Sequence, residues 1–463
     1  MKREAYILLA ALILLVACVP ASSTLIPIPS VTALPTTTAL PAPTVLPTPV
    51  PNELYVDAGV DLGPISPYVY GSNYGPWTSV PSSMFQDAFD AHITALRFPG
   101  GRWGDENDIQ TYHLDTFMAF CQKMGAIPTI SVRFQNSTPE AAAALVHYAN
   151  IEKGYNIIYW SIGNEPDYEN LDGKKIDPVY YNQQWRLIAK AMKAVDPKIK
   201  LMGPELSQWG TDISSTAKYP PVQTPSSQVR LDWMTEFLKA NGDLVDIVTV
   251  HRYPLYSPSI GPVTVEQLRQ NTREWNQLVI YLRTLVHDIT GRNLPVAFTE
   301  VNSDPSNAAG GIASPDSFYN AIWYADVLGR LIQENVFMVN NWLLGGNSGG
   351  LPVLYPGQIR PTYYVFQMYN HFGNEQVLAT AGVADVTVYA AKRPDGTLTV
   401  MVINLADTQQ RIPFQVQGMA LSRAEVWLFD ATHKAEDLGQ QSFPADGRLI
   451  LPAQSISLYA ISQ

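Results

Sequence analysis

Two glutamates stand where a carboxylate needs a reason to be. Trp160-Ser161-Ile162-Gly163-Asn164-Glu165-Pro166 and Ala297-Phe298-Thr299-Glu300-Val301-Asn302 each begin as an apolar run and arrive at a Glu. An acid placed directly behind such a run is costly unless partners meet it. A single Glu after a strand more often starts a helix or pairs at a rim. Two that face each other across a pocket can break a glycosidic bond: one protonates the leaving oxygen, and the other attacks or stabilises an oxocarbenium-like carbon.

That chemistry needs a scaffold that brings residues far apart in the chain to one mouth. At 463 residues the chain exceeds one average domain, and its 46% apolar and 15% charged residues describe a globular protein with a sizeable core. From Ser66 onward, short β-branched or aromatic runs alternate with longer helical patterns. Strands are expected near Tyr68–Asn73, Thr94–Phe98, Ile127–Arg133, Ile157–Gly163, Lys200–Gly203, Ile247–His251, Val296–Glu300 and Val336–Trp342, with helical segments such as Pro139–Glu152, Pro178–Ala194, Thr264–Ile289 and Pro315–Gln333 between them. Eight strand–helix repeats predict a closed (β/α)8 TIM barrel, in which active sites occupy the carboxyl ends of the strands. An open doubly wound sheet would carry a Gly-rich phosphate turn after its first strand, and none is present. After about Asn374 the helical period stops, and Asp385–Lys392, Thr397–Asn404, Arg411–Val416, Ala424–Phe429 and Ser455–Ile461 predict a C-terminal β-sandwich. Glu53–Gly59 alternates like a strand and is open to two placements, before the barrel or within the sandwich.

In this count Glu165 closes strand four and Glu300 closes strand seven. Asn164-Glu165-Pro166 with Thr299-Glu300 resembles glycoside hydrolase clan A over about residues 64–372. With its appended sandwich the chain is more similar to families 39, 44, 51, 30 and 79 of that kind than to the plain barrels of family 5. The resemblance implies Glu165 as acid/base and Glu300 as nucleophile. It further implies sugar contacts from Asn164, from His251 and Tyr253 in Val250-His251-Arg252-Tyr253-Pro254, and from Trp342 at the end of strand eight. Arg97, in Leu96-Arg97-Phe98-Pro99-Gly100-Gly101, ends strand two, where a guanidinium beside the nucleophile would keep it charged. Alternation allows His251 and Tyr253 to share a face. Asn73, Trp77 and Trp103 are candidate subsite residues, while Trp209 and Gly345-Gly346-Asn347-Ser348-Gly349-Gly350 mark candidate cleft loops.

Other chemistries lack their signatures. The seven histidines are scattered, and no His-Glu-x-x-His or Gly-Lys-Ser/Thr occurs, so neither a metal nor any other cofactor is expected. A net charge of −11 without basic clusters argues against nucleic acid as a partner. Ten Trp and 24 Tyr would suit the faces of sugar rings, although most rings fill cores. Cys121, in the apolar stretch of Phe117, Met118, Phe120 and Met124, reads as a buried small hydrophobe.

The first 52 residues read as an address and a tether. Lys2 and Arg3 precede an apolar Ala5–Ala17, shorter than the roughly 20 residues of a membrane span. Leu15-Val16-Ala17-Cys18 resembles a bacterial lipobox, which implies a signal peptide over 1–17, lipidation of Cys18 and attachment to the outer face of a bacterial membrane; an ordinary secretory signal is the alternative. The Pro- and Thr-rich stretch to residue 52 predicts an extended stalk. The expected organisation is therefore leader 1–17, lipidated cysteine and linker 18–52, catalytic barrel 53–374 and sandwich 375–463.

Taken together these readings predict hydrolysis of an extracellular polysaccharide or oligosaccharide by double displacement, with carboxyl groups about 5–5.5 Å apart. Two alternatives use the same scaffold: a non-catalytic carbohydrate-binding surface lipoprotein, which has no need of both acids, and a transglycosylase, which prefers a sugar acceptor to water.

Overall fold

The computed structural model describes residues 47–462 apart from 169, 172, 211–224, 256–260 and 420. The leader, Cys18 and most of the linker therefore lie outside the described residues. Among the described residues, no helix is long and apolar enough to cross a membrane.

The first strand is β1 (Leu54–Pro64). Eight strands follow as the barrel: β2 (Tyr68–Asn73), β3 (Ala95–Phe98), β4 (Ile127–Val132), β5 (Tyr159–Ile162), β6 (Lys200–Leu206), β7 (Ile247–Arg252), β8 (Val296–Val301) and β9 (Met338–Asn341). Each is parallel to its neighbours, and β9 closes on β2. The TIM barrel expected from the alternating pattern is thus present. One helix is broken where the sequence reads continuous: Thr264–Ile289 becomes Val265–Asn271 and Trp275–Thr290, separated by a 3-10 turn at Thr272–Glu274, where the buried Thr272 hydroxyl donates to the Arg269 carbonyl.

Strand alternation grades the barrel interior from apolar to polar. Tyr68, Ala95, Tyr159, Met202, Ile247, Ala297 and Met338 form a cluster near the amino ends, with Ile127 packed against it, so every strand contributes one side chain to the plug. Two residues further along, Arg97, Thr129, Ser161, Thr249 and Thr299 are all buried and polar. The register shifts between Pro204 and Leu206 and between Phe298 and Glu300, as β-bulges do when they re-aim a side chain.

The remaining strands are β10 (Glu375–Ala381), β11 (Val386–Lys392), β12 (Leu398–Asn404), β13 (Gln410–Gln417), β14 (Arg423–Phe429), β15 (Glu436–Ser442), β16 (Arg448–Leu451) and β17 (Ser455–Ile461). They join one hydrogen-bonded array in the order β15-β14-β17-β12-β11-β10-β1-β13-β16. β1 is antiparallel to β10 and parallel to β13. Leu54, Val56, Val388, Val400, Phe414, Leu451 and their neighbours fill the interior of this sandwich, while Tyr389, Met401, Trp427 and Leu458 belong to the barrel's own core. The Phe318–Gln333 helix lies between the two layers and is buried on nearly all sides. Gly329 lets it approach, since a Cβ there would collide with the Tyr389 ring. Beside it the buried Asp326 accepts from the Tyr389 hydroxyl at 2.5 Å, the Thr387 hydroxyl at 2.6 Å and Arg330 Nε at 3.0 Å. Cys121 is buried, and burial pushes its thiol up.

Candidate active site

Arg97 is the hub of the barrel mouth. The residue sits at the end of β3, 1% exposed, and its Nη1 donates to Glu300 Oε1 at 2.8 Å and to Asn73 Oδ1 at 3.1 Å. Its Nη2 donates to Asn164 Oδ1 at 2.8 Å and lies 3.6 Å from Glu205 Oε2. Asn73 turns its amide to the Thr299 and Asn341 carbonyls. Ends of β2, β3, β5, β6 and β8 are thereby tied into one network.

Glu300 is gripped at both oxygens. Opposite the Arg97 contact, the Tyr253 hydroxyl donates to Oε2 at 2.7 Å, and His251 Nδ1 lies 3.6 Å away. His251 and Tyr253 do share the inner face, while Arg252 between them turns outward to Glu274, with Nε 2.9 Å from Oε1. Burial and the charges of Glu300 and Glu165 push the Tyr253 phenol well up, so it remains a donor.

Glu165 meets His251 Nδ1 at 2.8 Å through Oε1. Its side chain is 18% exposed, more open than any partner. Its φ of 46° lies in the left-handed region, which costs a non-glycine residue about 1–3 kcal/mol and suits a site that aims a side chain against the run of its strand. The neighbourhood holds that turn. Asp105 accepts the Asn164 N–H at 2.8 Å and the Phe134 N–H at 2.9 Å, and the Glu165 N–H donates to the Glu205 carbonyl at 2.9 Å. Burial pushes the Glu165 carboxyl up to about 7, with the Glu300 and Asp167 charges adding and His251 opposing.

Glu205 is the residue that reading the sequence missed. It is wholly buried on β6, and Oε2 accepts from the Thr299 hydroxyl and meets His251 Nε2 at 3.1 Å. Burial alone would raise its carboxyl; the Arg97 charge and the His251 and Thr299 contacts reverse this and take it down to about 2. For His251 burial would lower the imidazole, but the Glu300 charge and the bonds to Glu165 and Glu205 push it up to about 10. The signal was available: Leu201-Met202-Gly203-Pro204-Glu205 is also a strand that arrives at a Glu, obscured because Gly203-Pro204 reads as a strand end.

Several expectations change in detail. His251, Arg97 and Asn73 lie behind the two glutamates, and both nitrogens of His251 are occupied, so they order the acids rather than face the cleft. Trp342 is half-buried, its ring over Gly100 and Gly101 and stacked 5.5 Å from that of Trp77, which is 42% exposed. Trp103 packs edge-on against His113. Trp209 is not a cleft residue: its ring is buried, stacks on Tyr281 and donates to the Leu278 carbonyl. The glycine loop is tightly packed, since a Cβ on Gly349 or Gly350 would strike Asn307 or Ala308.

One oxygen each of Glu165 and Glu300 and one His251 nitrogen lie within 4.8 Å of one another, a spacing that could also hold a metal ion. A metal ligand needs a ring lone pair, whereas His251 is held between acids that favour its doubly protonated form. The donor set suits acid–base chemistry better.

Residues 154–344, which carry both glutamates, match the model of glycosyl hydrolases family 39. The chain is 24% identical over 324 residues to the probable alpha-L-arabinofuranosidase C of Aspergillus clavatus, covering 58% of this chain and 60% of that protein. Against the intracellular exo-alpha-(1->5)-L-arabinofuranosidase of Streptomyces lividans it is 23% identical over 266 residues, 45% of this chain and 37% of that one. The fold matches the alpha-L-arabinofuranosidase of Thermotoga maritima with a TM-score of 0.70 at 18% identity, over 89% of this chain and 100% of the other. It matches a family 44 xyloglucanase of Paenibacillus polymyxa with a TM-score of 0.68 at 17% identity, over 89% and 99%. The resemblance to glycoside hydrolase clan A holds. The chain spans about 60% of the length of the curated relatives it matches first, and the barrel with its sandwich is the part shared with the solved structures.

Proposed function

We propose that the protein hydrolyses O-glycosidic bonds with retention of configuration, Glu300 attacking the anomeric carbon and Glu165 acting first as acid and then as base. The supporting observation is the pair itself: an oxygen of Glu165 and an oxygen of Glu300 lie within 4.8 Å of one another across the barrel mouth, which favours direct attack by the second carboxylate. Division of labour follows from surroundings. Arg97 and Tyr253 donate to both oxygens of Glu300 and orient it, while burial pushes the Glu165 carboxyl up to about 7, so that it carries a proton in part at neutral pH. When Glu300 takes up the sugar, one negative charge leaves the pocket and Glu165 can ionise in its place, ready to activate water.

α-L-Arabinofuranosides are the substrates put first, since relatives from Aspergillus and Streptomyces bear that activity in their names. Export and lipid anchoring through Cys18 belong to the same proposal, supported by Leu15-Val16-Ala17-Cys18, and metabolic labelling with palmitate lost in Cys18→Ala would test them. The deciding experiment incubates the protein and its Glu300→Gln variant with p-nitrophenyl α-L-arabinofuranoside, β-D-xyloside and β-D-glucoside, and with xyloglucan and arabinan. Turnover by the protein alone, with the first-formed product retaining its anomeric configuration by NMR, supports the proposal. Equal behaviour of the two proteins on every substrate, or an inverted product, refutes it.

A further inference from the structure

Glu205 does not reach the cleft, yet it is joined to every group that does the proposed chemistry. It is 0% exposed, where an acid without cations would be prohibitive. Its two cations are Arg97, whose other amino group holds Glu300, and His251, whose other nitrogen holds Glu165. Its backbone carbonyl also accepts the Glu165 N–H, and its own φ of 60° matches the left-handed turn of Glu165 opposite. The Glu205 N–H in turn donates to Thr249 Oγ1 at 3.0 Å, so β7 fixes the turn from below. A residue that only filled the barrel would need none of this.

The groups facing His251 are Glu165 from β5, Glu205 from β6, Glu300 from β8 and Tyr253 just beyond β7, with Arg97 of β3 behind the two inner acids. Arg97 and protonated His251 balance Glu205 and Glu300. Glu165 is the fifth group, and its ionisation would leave the buried cluster with net negative charge. Without Glu205, His251 has no acid at Nε2 and less reason to keep its second proton. A singly protonated ring can present Nδ1 to Glu165 as donor or as acceptor, so the geometry of the acid/base is no longer unique.

We infer that Glu205 is a positioning residue: it holds His251 doubly protonated so that Nδ1–H is always the donor to Glu165, and it steadies Arg97 between Glu300 and Asn164. The catalytic consequence rests on the proposed function; the protonation of His251 does not.

The test uses the intact protein labelled with 15N at its seven histidines, with His251 assigned by a His251→Gln variant. In the wild type His251 should keep both ring protons to above about pH 8, and in Glu205→Gln its midpoint should fall by at least about one unit, a tenfold change in proton affinity. On a glycoside that the wild type cleaves, Glu205→Gln should lower kcat about 10- to 100-fold with KM changed less than about threefold, and Glu205→Asp should recover part of both losses. The inference is overturned if His251 of the wild type is singly protonated at neutral pH, or if Glu205→Gln leaves its titration unmoved. Should Glu205→Gln fail to fold, the wild-type titration decides alone. Absence of glycoside cleavage would sink the proposed function and leave the titration to judge Glu205.

Discussion

Removing one oxygen atom from Tyr253 should separate holding the nucleophile from supplying it. In Tyr253→Phe the ring remains in its buried place and only the 2.7 Å donation to Glu300 Oε2 is lost. Glu300 keeps Arg97 at 2.8 Å on Oε1, and the nearest substitute for Oε2 is His251 Nδ1 at 3.6 Å, already committed to Glu165. A hydrogen bond to a charged group contributes about 1.5–3 kcal/mol, and about 1.4 kcal/mol is a factor of ten in rate. The loss in kcat is therefore roughly 10- to 150-fold. It should fall on breakdown of the glycosyl-enzyme, because there Glu300 must leave as a carboxylate and the phenol stabilises the returning charge. The assay is pre-steady-state hydrolysis of p-nitrophenyl α-L-arabinofuranoside, or of whichever aryl glycoside is cleaved. The variant should show a burst of nitrophenol followed by slow turnover, whereas Glu300→Gln should show neither. A kcat within about threefold of wild type, or a loss confined to KM, would refute the claim that Tyr253 stabilises the leaving carboxylate.

Glu165 must be protonated to act as acid, so kcat/KM should decline as pH rises through about 7, and Glu165→Gln should abolish that limb and spare aryl glycosides with the most acidic leaving groups. Arg97→Met removes the cation from buried Glu205 and Glu300 together, and should cost about 3–5 kcal/mol in chemical denaturation as well as abolishing activity. The folded-state value of His251, about 10, is above the ordinary 6.5, so its contribution to stability is complete below pH 6.5 and disappears as pH climbs through 10. Denaturation midpoints of the wild type should accordingly drop across that interval more than those of His251→Gln. Asp326→Ala leaves the half-buried Arg330 without its acid, and the Tyr389 and Thr387 hydroxyls without their carboxylate acceptor, between the helix and the sandwich. It should lower the melting temperature markedly while leaving kcat per folded molecule unchanged, and a changed kcat would show that the sandwich reaches the site.

What could be read from the residues alone was governed by how unambiguous each local pattern is. The barrel was legible because its buried strands are continuous apolar runs separated by helices, and Glu165 and Glu300 because an acid ending such a run is conspicuous. Glu205 obeys the same rule but follows Gly203-Pro204, a pair that usually ends a strand rather than sits inside one. The tryptophans show a different limit. Trp342 and Trp209 both follow strands at the same end of the barrel, and only tertiary packing sends one over the Gly100-Gly101 turn and the other into the core. In the sandwich, β15 reads Glu-Asp-Leu-Gly-Gln-Gln-Ser, and no hydrophobic alternation betrays an exposed edge strand. β10 escaped for a different reason: it follows a helix and a short turn at once, beginning where the helical period stops, before any alternation of its own is established.

The place of β1 has a consequence for how the polypeptide can be made and cut. This strand emerges from the ribosome before the whole barrel, yet its partners β10 and β13 come only after it. Two rows of backbone amides and carbonyls must wait, unpaired with protein, for some three hundred further residues. For the same reason a fragment beginning at residue 375 would lack an interior strand, leaving β10 and β13 as raw edges open to foreign chains. Severing the molecule between its two halves would yield a sticky remnant, and transplanting the C-terminal half onto another enzyme would require carrying Leu54–Pro64 along.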